Sequence, residues 1–140
     1  MQSIWSQSCS IPQRESLPGN LEVEVAVIGA GMAGVLTASA LQEAGRRVVV
    51  LEANRIGSGQ TGNTTAKITS QHGMVYHKLM QTIGPEGAGQ YAAANQAAIR
   101  RYQDLIQSRQ IRCDWEERCA YVYGNDQQML REEAEAAREL

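Results

Sequence analysis

The hydrophobic pattern in the first half of the chain predicts a strand, a helix and a second strand. Residues 23–28 and 48–51 are short apolar runs rich in valine, which is typical of buried strands in a parallel sheet. From Met32 onwards, small and apolar residues recur at helical spacing. Gly45 is placed to end that helix with a left-handed residue. The pattern therefore predicts a compact β-α-β unit.

The second half predicts helices and two further strands. An apolar face over residues 74–83 indicates a helix that stops at Gly84, and Pro85 begins the next helix. Residues 111–116 and 119–123 are predicted as the two strands of a hairpin. A last helix is predicted over residues 127–140, with Asp126 as its cap. The residues expected to face inward from this helix are Met129, Leu130, Ala134 and Ala137.

Residues 1–20 contain Ser, Gln and Pro with only isolated apolar side chains. They lack the basic start and apolar core of a secretory signal. We predict an extended leader that lies over the domain surface and is pinned there by Trp5.

Composition limits the classes of partner and compartment. The 140 residues, 43% of them apolar, suit one globular domain, and a formal charge of -2 gives no reason to expect nucleic acid or an anionic membrane. Cys9, Cys113 and Cys119 form neither a C-x-x-C pair nor an even framework, which favours a reducing, cytoplasmic location. His72 and His77 do not share a helical face, so we predict ordinary polar contacts and no metal site.

The first strand leads into a glycine motif. Gly29, Gly31 and Gly34 have G-x-G-x-x-G spacing between strand and helix, where they allow a tight turn, close approach of a pyrophosphate and close packing. Glu52 ends the second strand, where a carboxylate can accept hydrogen bonds from ribose hydroxyls. The order of strand, glycines, helix, strand and acid predicts a dinucleotide site. The alternative is a tight turn in an unrelated α/β domain.

A loop rich in glycine and hydroxyl side chains follows Glu52. Residues 53–67 form a poor helix or strand but a good surface of amides and hydroxyls for phosphates. The loop starts at the carboxyl end of a strand, where open α/β sheets bind ligands. A mobile polar linker is the alternative.

These motifs resemble the N-terminal part of FAD-dependent oxidoreductases of the D-amino-acid oxidase and glycine oxidase (DAO) superfamily. The similarity is carried by V-A-V-I-G-A-G-M-A-G at residues 25–34 and by V-V-V-L-E-A-N-R-I-G-S-G-Q-T-G-N-T-T-A-K-I-T-S-Q-H-G at residues 48–73. The leader adds Ser3-Ile4-Trp5 and Leu17-Pro18-Gly19. The chain is similar above all to bacterial members of this superfamily, many of which carry a C-terminal Rieske domain. The resemblance implies oxidation of a small-molecule amine or amino acid by hydride transfer to FAD.

The resemblance also implies a set of FAD contacts. The glycines would hold the pyrophosphate, Glu52 the ribose and Arg55 the region of the adenine, while the loop would run along the phosphates towards the flavin. The expected cofactor-binding residues are Gly29, Ala30, Gly31, Met32, Ala33, Gly34, Glu52, Ala53, Arg55, Ser58, Thr61, Gly62, Thr64, Thr65, Ala66 and Lys67. No residue can be assigned from the sequence as a catalytic acid or base.

The expected fold class is α/β, with a Rossmann-like FAD-binding β-α-β unit, appended helices and the start of an α+β substrate domain. The expected segments are the leader at 1–20, the dinucleotide-binding unit and phosphate loop at 21–73, a helical segment at 74–110 and the start of a truncated substrate domain at 111–140. Because only two parallel strands are predicted, we expect an incomplete parallel sheet from the N-terminal portion of a longer enzyme, with an exposed edge that favours self-association.

A second class of protein fits the same turn. A non-catalytic Rossmann module could hold NAD or ADP with these glycines and Glu52. The hydroxyl-rich loop discriminates between the two, because an NAD module has no evident need for so long an extension.

Overall fold

Two structural units make up the chain. The computed structural model describes residues 3–140 and divides the protein into Met1–Ala66 and Lys67–Leu140. The first two residues of the expected leader lie outside the described part of the chain.

The first unit contains the predicted β-α-β arrangement. Strands β1 (Val25–Ile28) and β2 (Val48–Leu51) are parallel, with Val25 opposite Val48 and Ile28 opposite Leu51. Helix α2 (Met32–Glu43) connects them, and it follows a short N-terminal helix, α1 (Ile4–Ser8). The α/β class and the parallel pair are confirmed, although β1 begins at Val25 and is two residues shorter than the predicted run.

The glycine turn brings α2 directly onto the strands. Gly29 has a φ of 97°, which a residue with a side chain rarely adopts, and its amide donates to the Leu51 carbonyl at 2.7 Å. A Cβ added at Gly34 would overlap the carbonyl oxygen of Gly29 and would lie 3.4 Å from Cγ1 of Val27. Gly34 therefore allows the helix to pack against the strand, as the sequence predicts.

Gly45 ends α2 as predicted. Its φ is 78°, and the amide of the next residue, Arg46, donates to the Leu41 carbonyl at 3.0 Å. This left-handed residue and the backward hydrogen bond satisfy a carbonyl at the helix end and turn the chain into β2.

The prediction of an extended leader is wrong over residues 4–8, which form α1. The hydroxyl of Ser3 caps this helix by accepting a hydrogen bond from the Trp5 amide at 3.3 Å. A side-chain cap before residues 4–8 stabilises this single turn of helix. The rest of the leader, residues 9–20, contains neither helix nor strand.

The second unit consists of two helices and irregular chain. Helix α3 (Tyr76–Ser108) is interrupted at Gly84, whose φ of 76° and ψ of 168° are not helical, and Pro85 follows. The predicted stop and restart at this point are confirmed. Helix α4 (Gln127–Glu139) begins after Asp126, whose carboxylate accepts from the amides of Gln128 and Met129 at 3.0 Å each. The predicted cap is confirmed as well.

The predicted hairpin over residues 111–116 and 119–123 is wrong. In the part of the chain that the structure describes, the sheet consists of β1 and β2 alone. Asp114 has a φ of 50°, which breaks the extended backbone that the first strand would need. Tyr121 and Tyr123 are 85% and 92% exposed, so the alternating pattern of the second run has no surface to pack against.

The predicted inward face of α4 is also wrong in part. Leu130 is half-buried as expected, but Met129 is 46% exposed, and Ala134 and Ala137 are exposed too. Two other residues of α4, Glu133 and Ala136, are each 4% exposed. The face of α4 is therefore set by Glu133. The core around Ala136 contains Tyr76, Ala92, Val75, Leu79, Met80 and Tyr91.

Glu133 is buried because its carboxylate caps α3 from a different helix. Its Oε1 accepts from the amides of Val75 and Tyr76 at 3.0 Å each and from Nε2 of Gln71 at 3.1 Å, and its Oε2 accepts from the amide of His77 at 2.9 Å. Val75, the residue at the cap position, supplies no side-chain bond. A charge opposite the start of α3 also matches the helix dipole.

These hydrogen bonds decide the protonation of Glu133. Burial by itself raises the pKa of the carboxyl, but the bonds from His77, Tyr76, Gln71 and Val75 outweigh burial and hold the pKa below its ordinary value. Glu133 is therefore charged at neutral pH, and its charge joins α4 to the start of α3.

Glu133→Gln should lower the free energy of unfolding of the second unit by roughly 1–3 kcal/mol at neutral pH, because an amide nitrogen replaces one acceptor oxygen. Since the folded-state pKa of Glu133 lies below its ordinary value of 4.5, the stabilisation is present above about pH 4.5 and is lost as the pH falls through the folded-state pKa. The difference from the native chain should therefore shrink in acid. Urea unfolding followed by the fluorescence of Trp115, in a Trp5→Phe background, measures both effects. Glu135→Gln removes the same charge from an exposed position of α4 and is the control; equal losses in the two variants would contradict the cap.

Gly34→Ala should destabilise the first unit by roughly 1–3 kcal/mol, because the added methyl group overlaps the Gly29 carbonyl. Urea unfolding followed by Trp5 fluorescence, in a Trp115→Phe background, reports on this unit. Gly19→Ala is the matched control, since a Cβ there meets no atom within 4 Å. Equal stability of the two variants would refute the close packing of α2.

Candidate dinucleotide-binding site

The start of α2 presents backbone donors at the glycine turn. Gly31 is the cap residue and has no side chain to satisfy the first amides of the helix. The Met32 amide donates to Oγ1 of Thr61 at 2.9 Å. Within residues 3–140, the amides of Gly31, Ala33 and Gly34 have no acceptor. Unpaired amides at the positive end of a helix dipole form a site for an anion such as a phosphate.

Glu52 holds the glycine turn from the end of β2. Its Oε2 accepts from the Ala30 amide at 2.8 Å and its Oε1 accepts from the Asn54 amide at 2.9 Å. The bond from Ala30, followed by the bond from Asn54, lowers the pKa of this carboxyl, so it is charged at neutral pH. Each carboxylate oxygen keeps a second lone pair, which can accept a hydroxyl proton.

The loop after Glu52 folds back onto the glycine turn. The Gly57 amide donates to the Ala30 carbonyl at 2.9 Å, and a short 3-10 helix, Thr61–Asn63, brings the Thr61 hydroxyl to α2. Gly62 permits this fold, because a Cβ there would lie 2.8 Å from the Gly57 carbonyl oxygen. In the structure the segment is thus tied to the turn at two points and does not run free of it.

The structure brings together part of the expected set of cofactor-binding residues. The Ala30 amide is hydrogen-bonded to the carboxylate of Glu52, and the Met32 amide is hydrogen-bonded to the hydroxyl of Thr61. Ala53 is exposed, and its backbone adds a hydrogen bond that helps to lower the pKa of Glu52. Five other residues of the expected set are exposed and have no hydrogen bond to Glu52 or to the start of α2 in the described structure: Arg55, Ser58, Thr64, Thr65 and Ala66. Lys67 is exposed and begins the second unit.

Two contacts of this site are not evident from the sequence. Thr61 caps α2 from 29 residues away, and the only signal for it is that Gly31 cannot cap its own helix. The sequence predicts that Trp5 pins the leader but does not indicate its partner, which is the carbonyl of Thr64: the indole Nε1 donates to it at 2.7 Å. The leader therefore contacts the loop that follows Glu52.

The described residues offer neither a membrane-spanning helix nor a metal cluster. No helix there is long and apolar enough to cross a membrane, and no group of three or more His, Cys, Asp and Glu side chains is placed to hold a metal ion. His72 bonds Asn95 at 3.2 Å, and His77 lies 3.5 Å from the Glu132 carboxylate. Both histidines make the polar contacts that the sequence predicts.

Comparison with known proteins identifies the family. Residues 24–140 match the family described as DAO, FAD dependent oxidoreductase. The chain belongs to this family. The resemblance drawn from the glycine turn and the loop is thereby confirmed, and so is FAD as the cofactor, because FAD dependence defines the family.

Three curated relatives match this chain, two of them over most of its length. YhfW of Bacillus subtilis, named for a Rieske 2Fe-2S iron-sulfur centre, is 38% identical over 122 residues, which are 87% of this chain and 24% of YhfW. Gamma-glutamylputrescine oxidoreductase of Escherichia coli is 29% identical over 115 residues, 82% of this chain and 27% of that protein. L-amino-acid oxidase of Mus musculus is 40% identical over 73 residues, 44% of this chain and 11% of that enzyme. The chain thus spans about a quarter of the length of the first two relatives. No solved structure matches it.

Thr61→Val should lower the free energy of unfolding of the first unit by about 1 kcal/mol, because the Met32 amide loses its capping oxygen while the side-chain volume is kept. Hydrogen exchange of the Met32 amide should accelerate correspondingly. Thr65→Val, at an exposed neighbouring position, is the control. Unchanged exchange at Met32 in Thr61→Val would show that the hydroxyl does not cap α2.

Proposed function

We propose that this chain is the N-terminal FAD-binding part of a flavin-dependent oxidoreductase that oxidises an amine or an amino acid. The observation that carries the proposal is the start of α2, where the amides of Gly31, Ala33 and Gly34 are unpaired beside the charged carboxylate of Glu52. Membership of a family defined by FAD supports it.

The hydrogen-bonding groups present fit the pyrophosphate and the adenosine ribose of FAD. The amides of α2 would bind the pyrophosphate, since a negative group is stabilised at a helix N-terminus. The second lone pairs of Glu52 would accept the ribose hydroxyls. A Cβ added at Gly29 meets no atom within 4 Å, so the turn leaves open space on the side of this residue. The loop of residues 53–66 would follow the phosphates, with Lys67 further along the chain towards the flavin.

Bound FAD would supply the acceptor for a hydride from the carbon that bears the amine. The role of the described residues would be to bind and orient: α2 would hold the pyrophosphate, Glu52 the ribose, and the hydroxyl-rich loop the phosphates. The substrate class rests on the names of two relatives, one an oxidoreductase of gamma-glutamylputrescine and one an L-amino-acid oxidase.

Two further proposals concern the compartment and the assembly of the chain. The three cysteines are free and exposed, which suits a reducing, cytoplasmic compartment. In the described structure β1 and β2 each have one unpaired edge, and Ile28 is 88% exposed. Self-association of the isolated chain through this sheet is the expected consequence.

The native chain, incubated with FAD and desalted, should retain visible flavin absorption and should retain no NAD in a parallel experiment. Glu52→Ala should weaken FAD binding roughly tenfold, because it removes a charged acceptor and loosens the Ala30 turn. Glu22→Ala removes the same charge from an exposed site outside the β-α-β unit and should bind normally. Retention of NAD in place of FAD would favour a non-catalytic nucleotide module. Retention of neither would show that this chain alone does not bind the dinucleotide.

The substrate class requires a protein that contains this chain together with the rest of the enzyme. Anaerobic addition of amines or amino acids should bleach the visible absorption of its bound flavin as the flavin is reduced. Bleaching by neither class, with FAD bound, would refute the substrate proposal and leave the FAD site intact.

A further inference from the structure

The N-terminal helix contacts the loop that is expected to follow the phosphates. The indole Nε1 of Trp5 donates to the Thr64 carbonyl at 2.7 Å, across 59 residues of sequence. Helix α1 also packs against the short 3-10 helix Thr61–Asn63. A donor-to-acceptor distance of 2.7 Å is at the short end of the usual range for an N–H···O hydrogen bond.

Local hydrogen bonds fix Trp5 in place for this contact. The Ser3 hydroxyl accepts from the Trp5 amide at 3.3 Å, and the Trp5 carbonyl accepts from the Cys9 amide at 3.2 Å and from the Ser8 hydroxyl at 3.4 Å. The backbone of Trp5 is therefore bonded on both sides. The helix that replaces the expected extended leader thus holds a single indole against the loop.

The part of the loop that Trp5 contacts has an unfavourable backbone conformation. Ala66 has a φ of 56°, a left-handed value that residues other than glycine rarely adopt. Its amide donates to Oγ1 of Thr64 at 3.3 Å, so Thr64 holds the turn with its hydroxyl while its carbonyl is held by Trp5. Such a turn persists only when contacts from outside the segment support it.

A second leader residue contacts the other end of the loop. Cδ1 of Ile11 lies 3.3 Å from where a Cβ of Gly57 would be. Gly57 is the residue whose amide donates to Ala30 of the glycine turn. The leader thus contacts the loop near Gly57 and at Thr64, on either side of Thr61, whose hydroxyl caps α2.

Burial alone does not account for Trp5. The side chain is 40% exposed, whereas an indole that served only as a hydrophobic anchor would be covered. What is specific to its placement is the N–H donor directed at a loop carbonyl. Phenylalanine would keep the packing and lose that donor.

We propose that residues 3–11 are a strap that holds the loop of residues 57–66 in its FAD-binding conformation, with Trp5 as the positioning residue. The strap deepens the proposed function and rests on it. Trp5 acts through the Thr64 carbonyl and needs no contact with FAD. Ordering the loop before FAD arrives lowers the entropy lost on binding, so removal of the strap weakens affinity without removing any FAD contact.

The test compares Trp5→Phe with Trp115→Phe, which makes the same substitution at the other tryptophan, in the second unit. In Trp5→Phe we expect FAD binding to weaken about 2- to 10-fold, the effect of one net hydrogen bond. In the FAD-free chain, hydrogen exchange at the amides of Asn63 and Ala66 should accelerate by a similar factor. Amides of β1 and β2 should exchange at native rates. Ser3→Ala, which removes the cap of α1, should change both readouts in the same direction and by less.

Two results would overturn the strap, and a third would overturn the proposed function. Native FAD affinity in Trp5→Phe would show that Trp5 does not position the loop for FAD, whatever the exchange rates. Faster exchange in β1 and β2 as well would show that Trp5 stabilises the whole unit. If the native chain itself did not bind FAD, the proposed function would be overturned instead. The two failures are therefore distinguishable.

Discussion

The first unit depends on the close approach of helix α2 to the end of strand β1. A side chain at Gly34 would collide with the carbonyl of Gly29, so the backbone of the helix rests against the turn that leads into it. This contact fixes where the first amides of α2 lie and where they point. At this turn Glu52 accepts from the Ala30 amide, and the hydroxyl of Thr61 accepts from the Met32 amide. The candidate anion site is thus a consequence of packing, and its donors are backbone atoms.

The two units use the same physical property of a helix N-terminus in opposite ways. At the start of α3, the carboxylate of Glu133 takes up the amides of Val75, Tyr76 and His77, and the side chain is buried. At the start of α2, Thr61 takes up one amide and the amides of Gly31, Ala33 and Gly34 are left without acceptors. A helix start that the protein satisfies by itself stabilises the fold. One that stays open can bind a negatively charged ligand, which is the basis of the proposed FAD site.

The loop after Glu52 connects recognition to the leader. Its contacts to Ala30 and Met32 belong to the expected dinucleotide site, while its Thr64 carbonyl is bonded to Trp5. A loop that grips phosphates loses less entropy on binding if it is ordered beforehand. In the proposed strap, the leader with its capped helix α1 would supply that order from a part of the chain outside the β-α-β unit itself.

The sequence by itself determined the features that depend on local conformation. The spacing of apolar residues predicted β1, α2 and β2. The ability of glycine to adopt a positive φ predicted the turn at Gly29, the helix end at Gly45 and the break at Gly84. The cap at Asp126 was predictable for the same reason, since its partners are the next few amides. In each case the deciding atoms lie within a few residues of one another.

Only the tertiary structure decided the features whose partners are distant in sequence. Glu133 is separated from the α3 amides by 56–58 residues, Thr61 from Met32 by 29 and Trp5 from Thr64 by 59. A polar residue in an amphipathic pattern is assigned to solvent, so the inward face of α4 was misplaced where Glu133 turns to α3. Residues 119–123 alternate as a strand does, yet a strand exists only when another strand supplies its hydrogen bonds, and that condition is a property of the fold.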